Sequence, residues 1–498
     1  MTDDIEETAA AGDGRPWPAA PDGIARDALL SRLRATHQQR AAANGDAATA
    51  PTAADRSING MGHPAEPPPA PFDFATLPEY QQMRFQRAAA ETMGLANPFF
   101  RLVGDAGPVA EVDGTPCLNF GSYDYLGLGA HPSVRRAAAE AVERHGISAG
   151  ASRLVGGERP WHGALETALA DFLGTEAALA MVSGHATNVT TIATLLGPKD
   201  LVLIDALIHN SISEGVQLSG ATRRVYPHND LGWIDDHLTR FRGDYRRVLI
   251  VTEGLFSMDG DTPDLAGFVR LKTRHDAWLM VDDAHGLGVL GATGRGVGEM
   301  AGIDPRLVDI WMGTLSKSLV SCGGYIAGSR VLIEFLKYRA PGFVFSVGLA
   351  APVAAAATAA LGAIRAEPER VARLAANGRR FLDRARAAGL DTGLSQGHAV
   401  TPVIVGDSIK AVRLAEDILR AGVHALPIIF PAVPERQARL RFFLSAGHTD
   451  AQIDRAVDCV AEHLHPPGSA EASAEARAAT RASAGADATA GLGGSASA

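Results

Sequence analysis

Three short runs limit what this chain can become: LVLID at Leu201–Asp205, VLIVTE at Val248–Glu253 and WLMVDD at 278–283. Each is apolar at consecutive rather than alternate positions. Strands of that kind are buried on both faces, the condition of a parallel sheet covered by crossover helices. Helical patterns separate the runs, as between RRVLIVTEG and AWLMVDDAHG, and this alternation predicts an α/β architecture. Polar residues follow the C-terminal ends of the runs, where open α/β sheets bind their ligands. Beyond about residue 351, long Ala- and Arg-containing helical patterns lead into two more strand candidates, AVTPVIVG and ARLRFFLS. These predict a smaller C-terminal α+β domain after a large domain whose sheet is mainly parallel.

The 498 residues, 46% hydrophobic and only 20% charged, are enough for a well-cored chain of two or three domains. Residues 1–70, with clusters such as PAEPPPAP, read as a mostly disordered extension, with one candidate amphipathic helix over 27–43 carrying Leu29, Leu30 and Leu33. We expect 71–129 to open the catalytic core, 130–355 to form the large domain and 356–467 the small one. The Ala/Ser/Gly-rich residues 468–498 read as a disordered tail. A net charge of −10 with no Lys/Arg block argues against a nucleic-acid binder, which needs a basic stripe. The three cysteines, Cys117, Cys322 and Cys459, are too few and too far apart for a disulfide framework or a metal knuckle, so no metal is expected. The acidic start MTDDIEETAA lacks the basic and apolar regions of a signal peptide, and no run approaches 18 apolar residues. A soluble cytoplasmic protein without a membrane span is the expectation.

Two motifs carry chemistry. Asp282, in VDDAHG, ends a buried strand; Lys317, in GTLSKS, lies 35 residues on (317 minus 282), after the apolar run VDIWMG. Separately, a strand-end carboxylate is as readily a helix cap, and a lysine in a turn is ordinarily a surface residue. Together they match pyridoxal 5'-phosphate (PLP), which needs a lysine amine to hold it and a carboxylate to keep its ring nitrogen protonated. Its phosphate needs hydroxyls and free backbone amides, which Thr314 and the turn Ser183-Gly184-His185 offer.

From about residue 95 to 465 the chain resembles the α-oxoamine synthases, the family of 8-amino-7-oxononanoate synthase, 5-aminolevulinate synthase, glycine acetyltransferase and serine palmitoyltransferase. The likeness rests on NFGSYDYLGLGAHP, SGHATN, LIDALIHNS, TEGLFSMDGD, VDDAHGLGVLGATGRG, GTLSKSLVSCGGYIAG and RLRFFLSAGH, in that order. It implies the fold type I, aspartate-aminotransferase-like PLP-dependent transferase fold. The implied activity is decarboxylative condensation of a small amino acid (glycine, alanine or serine) with an acyl thioester, carried by coenzyme A or a carrier protein. It also implies roles. Lys317 is the Schiff-base lysine and Asp282 the partner of the pyridine nitrogen. His209 stacks on the cofactor ring, His285 meets its phenolic oxygen, and Ser257 is a nearby polar contact. Thr314 binds phosphate. Arg441 holds the substrate carboxylate, with Arg439 the competitor and the trailing SAGHT favouring Arg441. Ser346, in FVFSVGL, reaches the phosphate of the other subunit in a homodimer with shared active sites.

Two positions depart from the family pattern. Tyr123 stands where the biotin-pathway synthases carry Asn, and matches the tyrosine of a eukaryotic serine palmitoyltransferase subunit; it is taken as a substrate-side residue, and biotin synthesis is disfavoured. His185 stands where many relatives have Phe or Tyr. The stretches SKSLVSCGGYIAG and KYRAPGFVFSVGL look most like secondary-metabolite members of the family. The rival readings are an aminotransferase or aldolase-type lyase of the same fold, or a non-catalytic partner subunit, which would be expected to have lost its lysine. No GxGxxG follows the first strand of the core to support a dinucleotide enzyme.

Overall fold

The computed structural model describes residues 74–95 and 97–465. The candidate helix 27–43 and the tail 468–498 lie outside the described residues. Two units are distinguished, divided between Asn97 and Pro98. In the first, a 3-10 turn at Phe74–Thr76 precedes a helix at Pro78–Thr92, whose proline sits at the start, where its missing N–H is not needed.

The second unit opens with the hairpin β1 (Val109–Val112) and β2 (Thr115–Asn119). Seven strands then build the main sheet: β3 (Ala177–Met181), β4 (Leu201–Asp205), β5 (Thr222–Tyr226), β6 (Val248–Glu253), β7 (Trp278–Asp282), β8 (Ile310–Thr314) and β9 (Gly324–Gly328). Their order is β3-β9-β8-β7-β6-β4-β5. Strands β4 to β8 run parallel to one another, and β9 is antiparallel to both β8 and β3. Strand residues alternate between two separate cores. Leu201, Leu203, Ile250, Leu279 and Val281 face one cluster; Val202, Ile204, Leu249, Val251 and Met280 face the other. Double-sided burial explains why these strands read as unbroken apolar runs.

Helices cover both faces. Pro160–Leu173, Leu265–Arg274 and Ala351–Ala366 contribute Leu165, Phe268 and Leu361 to the first cluster, while Gly184–Leu195, Asn210–Ser219 and Arg330–Arg339 contribute Ile192, Ile212 and Leu336 to the second. Helix Ala351–Ala366 runs through the expected domain boundary at 355/356. The C-terminal strands are β10 (Val400–Gly406), β11 (Val423–His424), β12 (Leu426–Ile428) and β13 (Ala438–Phe443). They form a β10-β13-β12 sheet, while β11 adds parallel to β2 and so ties the last quarter of the unit to its beginning. Among the described residues no helix is long and apolar enough to cross a membrane.

Candidate active site

A cavity of about 370 Å³ lies at the C-terminal ends of β4, β6, β7 and β8, within the size range of small-ligand sites. Its walls include Ser183, Gly184, His185, His209, Ser257, Asp282, His285, Thr314 and Lys317, so nine of the sequence candidates converge there.

Lys317 sits in the turn between β8 and β9, closed by a 2.8 Å bond from the N–H of Val320 to the Lys317 carbonyl. Val320 has a φ of 45°, a left-handed conformation in which a β-branched residue is strained, so the turn is held by its surroundings. Burial lowers the pKa of the Lys317 amine, against the opposing pull of Asp282 and Glu253.

Asp282 ends β7. Its Oδ1 accepts the N–H of Ala284 (3.1 Å), and its Oδ2 accepts one amide proton of Asn188 (2.8 Å). The other amide proton of Asn188 goes to Ser211 Oγ (2.9 Å), and Ser211 Oγ lies 2.7 Å from His209 Nδ1. The backbone N–H of Ser211 also donates to that nitrogen, so Nδ1 accepts and the His209 proton belongs on Nε2. Asn188 and Ser211 thus fix the carboxylate and the imidazole together. The backbone N–H of His209 donates to Glu253 Oε1 at 2.7 Å. Burial, then the nearby Asp282 charge, raises the Glu253 pKa well above the carboxylate range, while burial lowers that of His209.

His285 Nδ1 is 2.7 Å from the hydroxyl of Tyr125. Burial raises the Tyr125 pKa and lowers that of His285, so the phenol keeps its proton and donates it, and the proton of the neutral imidazole belongs on Nε2.

At the far end of the cavity, Ser183 caps the helix Gly184–Leu195 and leaves its first amides facing inward. Thr314 is so close that a Cβ on Gly184 would lie 3.0 Å from its Oγ1. The half-exposed His185 side chain lies edge-on to the His209 ring and pairs with Glu214 at 3.2 Å.

The two arginines of β13 differ in employment. Arg439 is committed to Asp259 (2.6 Å) and the Met258 carbonyl (3.0 Å). Arg441 donates to the Ser257 carbonyl (3.1 Å) and to Met258 Sδ (3.2 Å), lies over the Phe443 ring and reaches Tyr123 Oη only at 3.5 Å; its Nε is buried without a partner, and no carboxylate pairs with it among the described residues. Tyr123 is 38% exposed, and the Lys317 amine lies 5.6 Å from its ring centre. Tyr123, Lys317 and Ser316 also border a second cavity of about 580 Å³ that runs along Asn119, Ser122 and Val320. The two chambers therefore meet at the lysine. Ser346 lines a different small pocket with Arg153 and Phe343 and does not join the other candidates within one chain.

The cavity suits PLP. It brings a buried lysine, a carboxylate without a cationic partner and helix-end amides beside a hydroxyl into one enclosure, and leaves Asn188 Oδ1 buried and unpaired at its wall. Sequence reading singled out none of Asn188, Ser211, Tyr125 and Glu253, although all four lie inside the quoted motifs.

Comparison with known proteins agrees with this geometry. The family model for aminotransferase class I and II matches residues 115–460. The 8-amino-7-oxononanoate synthase of Symbiobacterium thermophilum is 42% identical over 369 residues, 74% of this chain and 94% of that protein. Its counterpart in Geobacter sulfurreducens is 43% identical over 386 residues, 77% and 96% of the two chains. Among solved structures, the serine palmitoyltransferase of Sphingomonas wittichii has a TM-score of 0.75 at 30% identity, covering 79% of this chain and 98% of that one. A serine palmitoyltransferase variant of S. paucimobilis holding a PLP–myriocin aldimine gives 0.75 at 28%, with the same coverage. The chain belongs to the aminotransferase class I and II family and, within it, to the α-oxoamine synthases. The biotin-pathway name of these curated relatives runs against the weight placed on Tyr123 in setting that pathway aside.

Proposed function

We propose that this protein joins a small amino acid to an acyl thioester, releasing carbon dioxide and a free thiol and leaving an α-amino ketone. The observation that carries the reading is the convergence of Lys317 and Asp282 in one enclosure at the sheet's C-terminal edge, with Arg441, which has no carboxylate partner among the described residues, held against the carbonyl of the lining residue Ser257. PLP, when bound, supplies an electron sink that stabilises negative charge at the amino acid's α-carbon.

In this reading Lys317 would hold the cofactor, and its amine, kept neutral by burial, would take the α-proton of the amino acid. Asp282 keeps the ring nitrogen protonated, with Asn188 fixing the carboxylate's direction. His209, its plane set by Ser211, would lie against the ring, and His285 would offer Nε2–H to the phenolic oxygen. Thr314, Ser183 and the amides of Gly184 and His185 hold phosphate, and Ser257 adds a polar contact. Arg441 takes the substrate carboxylate with its planar fork. Tyr123 borders the second chamber, through which the acyl thioester of coenzyme A or a carrier protein would approach. The protein acts as a cytoplasmic homodimer, with Ser346 of one copy completing the phosphate site of the other.

The test is mass-spectrometric α-deuterium exchange on glycine, alanine and serine, with carbon dioxide release measured after adding an acyl thioester, using holoenzyme and Lys317→Ala. Lysine-dependent exchange followed by stoichiometric carbon dioxide release is expected. Amino transfer to a keto acid without carbon dioxide release would replace this reading with an aminotransferase.

A further inference from the structure

Behind the cavity, the loops that deliver His209 and Ser257 are bridged by the side chain of His228, alongside hydrogen bonds from Asn229 and to Glu253. His228 follows β5; its Nδ1 lies 2.9 Å from Asp205 Oδ1 and its Nε2 2.8 Å from Asp261 Oδ2. Asp205 ends β4 and accepts the backbone N–H of Leu207 at 2.8 Å, which shapes the turn running into His209. Asp261 closes the other loop: the N–H of Phe256 donates to its carbonyl at 3.0 Å. Within that loop the Ser257 carbonyl anchors Arg441.

Each ring nitrogen faces a carboxylate oxygen, an arrangement only the doubly protonated imidazole satisfies, because a neutral ring has one donor. Burial opposes the charge, yet the hydrogen bonds and ion pairs to Asp205 and Asp261 outweigh it and lift the His228 pKa to about 10. Phe256 packs edge-on against the ring at 4.5 Å and fixes its tilt. Asn229, at a φ of 55°, donates to the same two carboxylates through its backbone N–H (2.9 Å, Asp205) and its side chain (3.1 Å, Asp261).

We propose that His228 is a positioning residue whose imidazolium, bridging Asp205 and Asp261, holds the His209 turn and the Ser257–Arg441 loop in one register, so that cofactor ring and substrate carboxylate are gripped together. The inference rests on the function proposed above. It separates into two half-connections. Asp205→Asn loosens the side leading to His209, whereas Asp261→Asn loosens the side leading to Arg441.

The experiment compares wild type, Asp205→Asn, Asp261→Asn and His228→Gln. For each, PLP affinity and the circular dichroism of the bound cofactor are measured without substrate, together with KM and kcat for the amino acid and the thermal midpoint. Asp205→Asn should weaken PLP and alter its dichroism with little change in KM. Asp261→Asn should raise KM about tenfold, the loss of about one hydrogen bond to a charged group, with the cofactor spectrum retained. His228→Gln should do both. If the two half-variants change only the thermal midpoint, or move both readouts equally, the bridge is structural and the proposal falls. If wild type itself binds no PLP, the functional reading fails first and takes the proposal with it.

Discussion

Replacing Arg441 with Gln should raise the amino-acid KM by two to three orders of magnitude and leave the cofactor-free protein at least as stable. The guanidinium meets the Ser257 carbonyl, Met258 Sδ, the Phe443 ring face and, at 3.5 Å, Tyr123, but no carboxylate among the described residues, and its Nε is unpartnered, so its charge awaits a ligand. A hydrogen bond to a charged group contributes roughly 1.5–3 kcal/mol, so a two-pronged grip on a carboxylate is worth about 3–4 kcal/mol after water reoccupies the site. At about 1.4 kcal/mol per decade, that is roughly 10²- to 10³-fold. The stability effect has the opposite sign, because a buried cation with no carboxylate partner among the described residues burdens the empty protein and its removal relieves that burden. Arg439→Gln is the control. It strands Asp259, 2.6 Å away and also buried, and breaking such a pair costs roughly 3–5 kcal/mol. Initial rates against amino-acid concentration, with thermal melts of the apoprotein, read both effects. If Arg439→Gln raises KM and Arg441→Gln does not, or if Arg441→Gln lowers the melting point as far as Arg439→Gln, the assignment of the two arginines is wrong.

Three further outcomes follow from the geometry. His448, stacked on Phe120 at 4.3 Å, has its pKa lowered by burial to about 4, so the unfolded chain takes up that proton first. Its stabilising contribution is therefore complete above the unfolded value of 6.5 and lost as pH falls through about 4; the loss is roughly 3 kcal/mol, and urea titrations of His448→Asn should show a flatter acid limb. Gly184→Ala sets a Cβ 3.0 Å from Thr314 Oγ1 and should weaken PLP about tenfold in absorbance titrations, the loss of about one phosphate hydrogen bond; unchanged affinity would remove Thr314 from the phosphate site. Tyr125→Phe removes the donor to His285 Nδ1 and should lower stability by about 1 kcal/mol and kcat several-fold, whereas kcat at the wild-type level would mean that the tautomer of His285 is immaterial.

The parallel core was legible because burial on both faces writes itself into consecutive apolar residues, as in LVLID and WLMVDD. The direction of β9 was not, since GYIAG has the same period whichever way it runs. The pairing of β11 with β2 rests on two residues and a partner about 300 positions away, and carries no local signal. At the site, Lys317 and Asp282 stood out through their chemistry and order. Asn188 and Ser211 did not, because nothing in a helical pattern tells which amide or hydroxyl turns inward; their meaning is the chain Asp282–Asn188–Ser211–His209, which exists only in three dimensions. Sequence preferred Arg441 to Arg439 only through the trailing SAGHT, whereas the ion pair of Arg439 to Asp259 shows a physical difference between them that the sequence does not carry.

The distribution of the site along the chain sets an order of assembly during synthesis. Ser183, His209, Asp282 and Lys317 have all been made 124 residues (441 minus 317) before Arg441. At roughly 5–20 residues per second, the interval is about 6 to 25 seconds. Throughout it a nascent chain would carry the cofactor-facing groups and lack the carboxylate fork, and because β13 pairs with β10, the fork's own strand comes late as well.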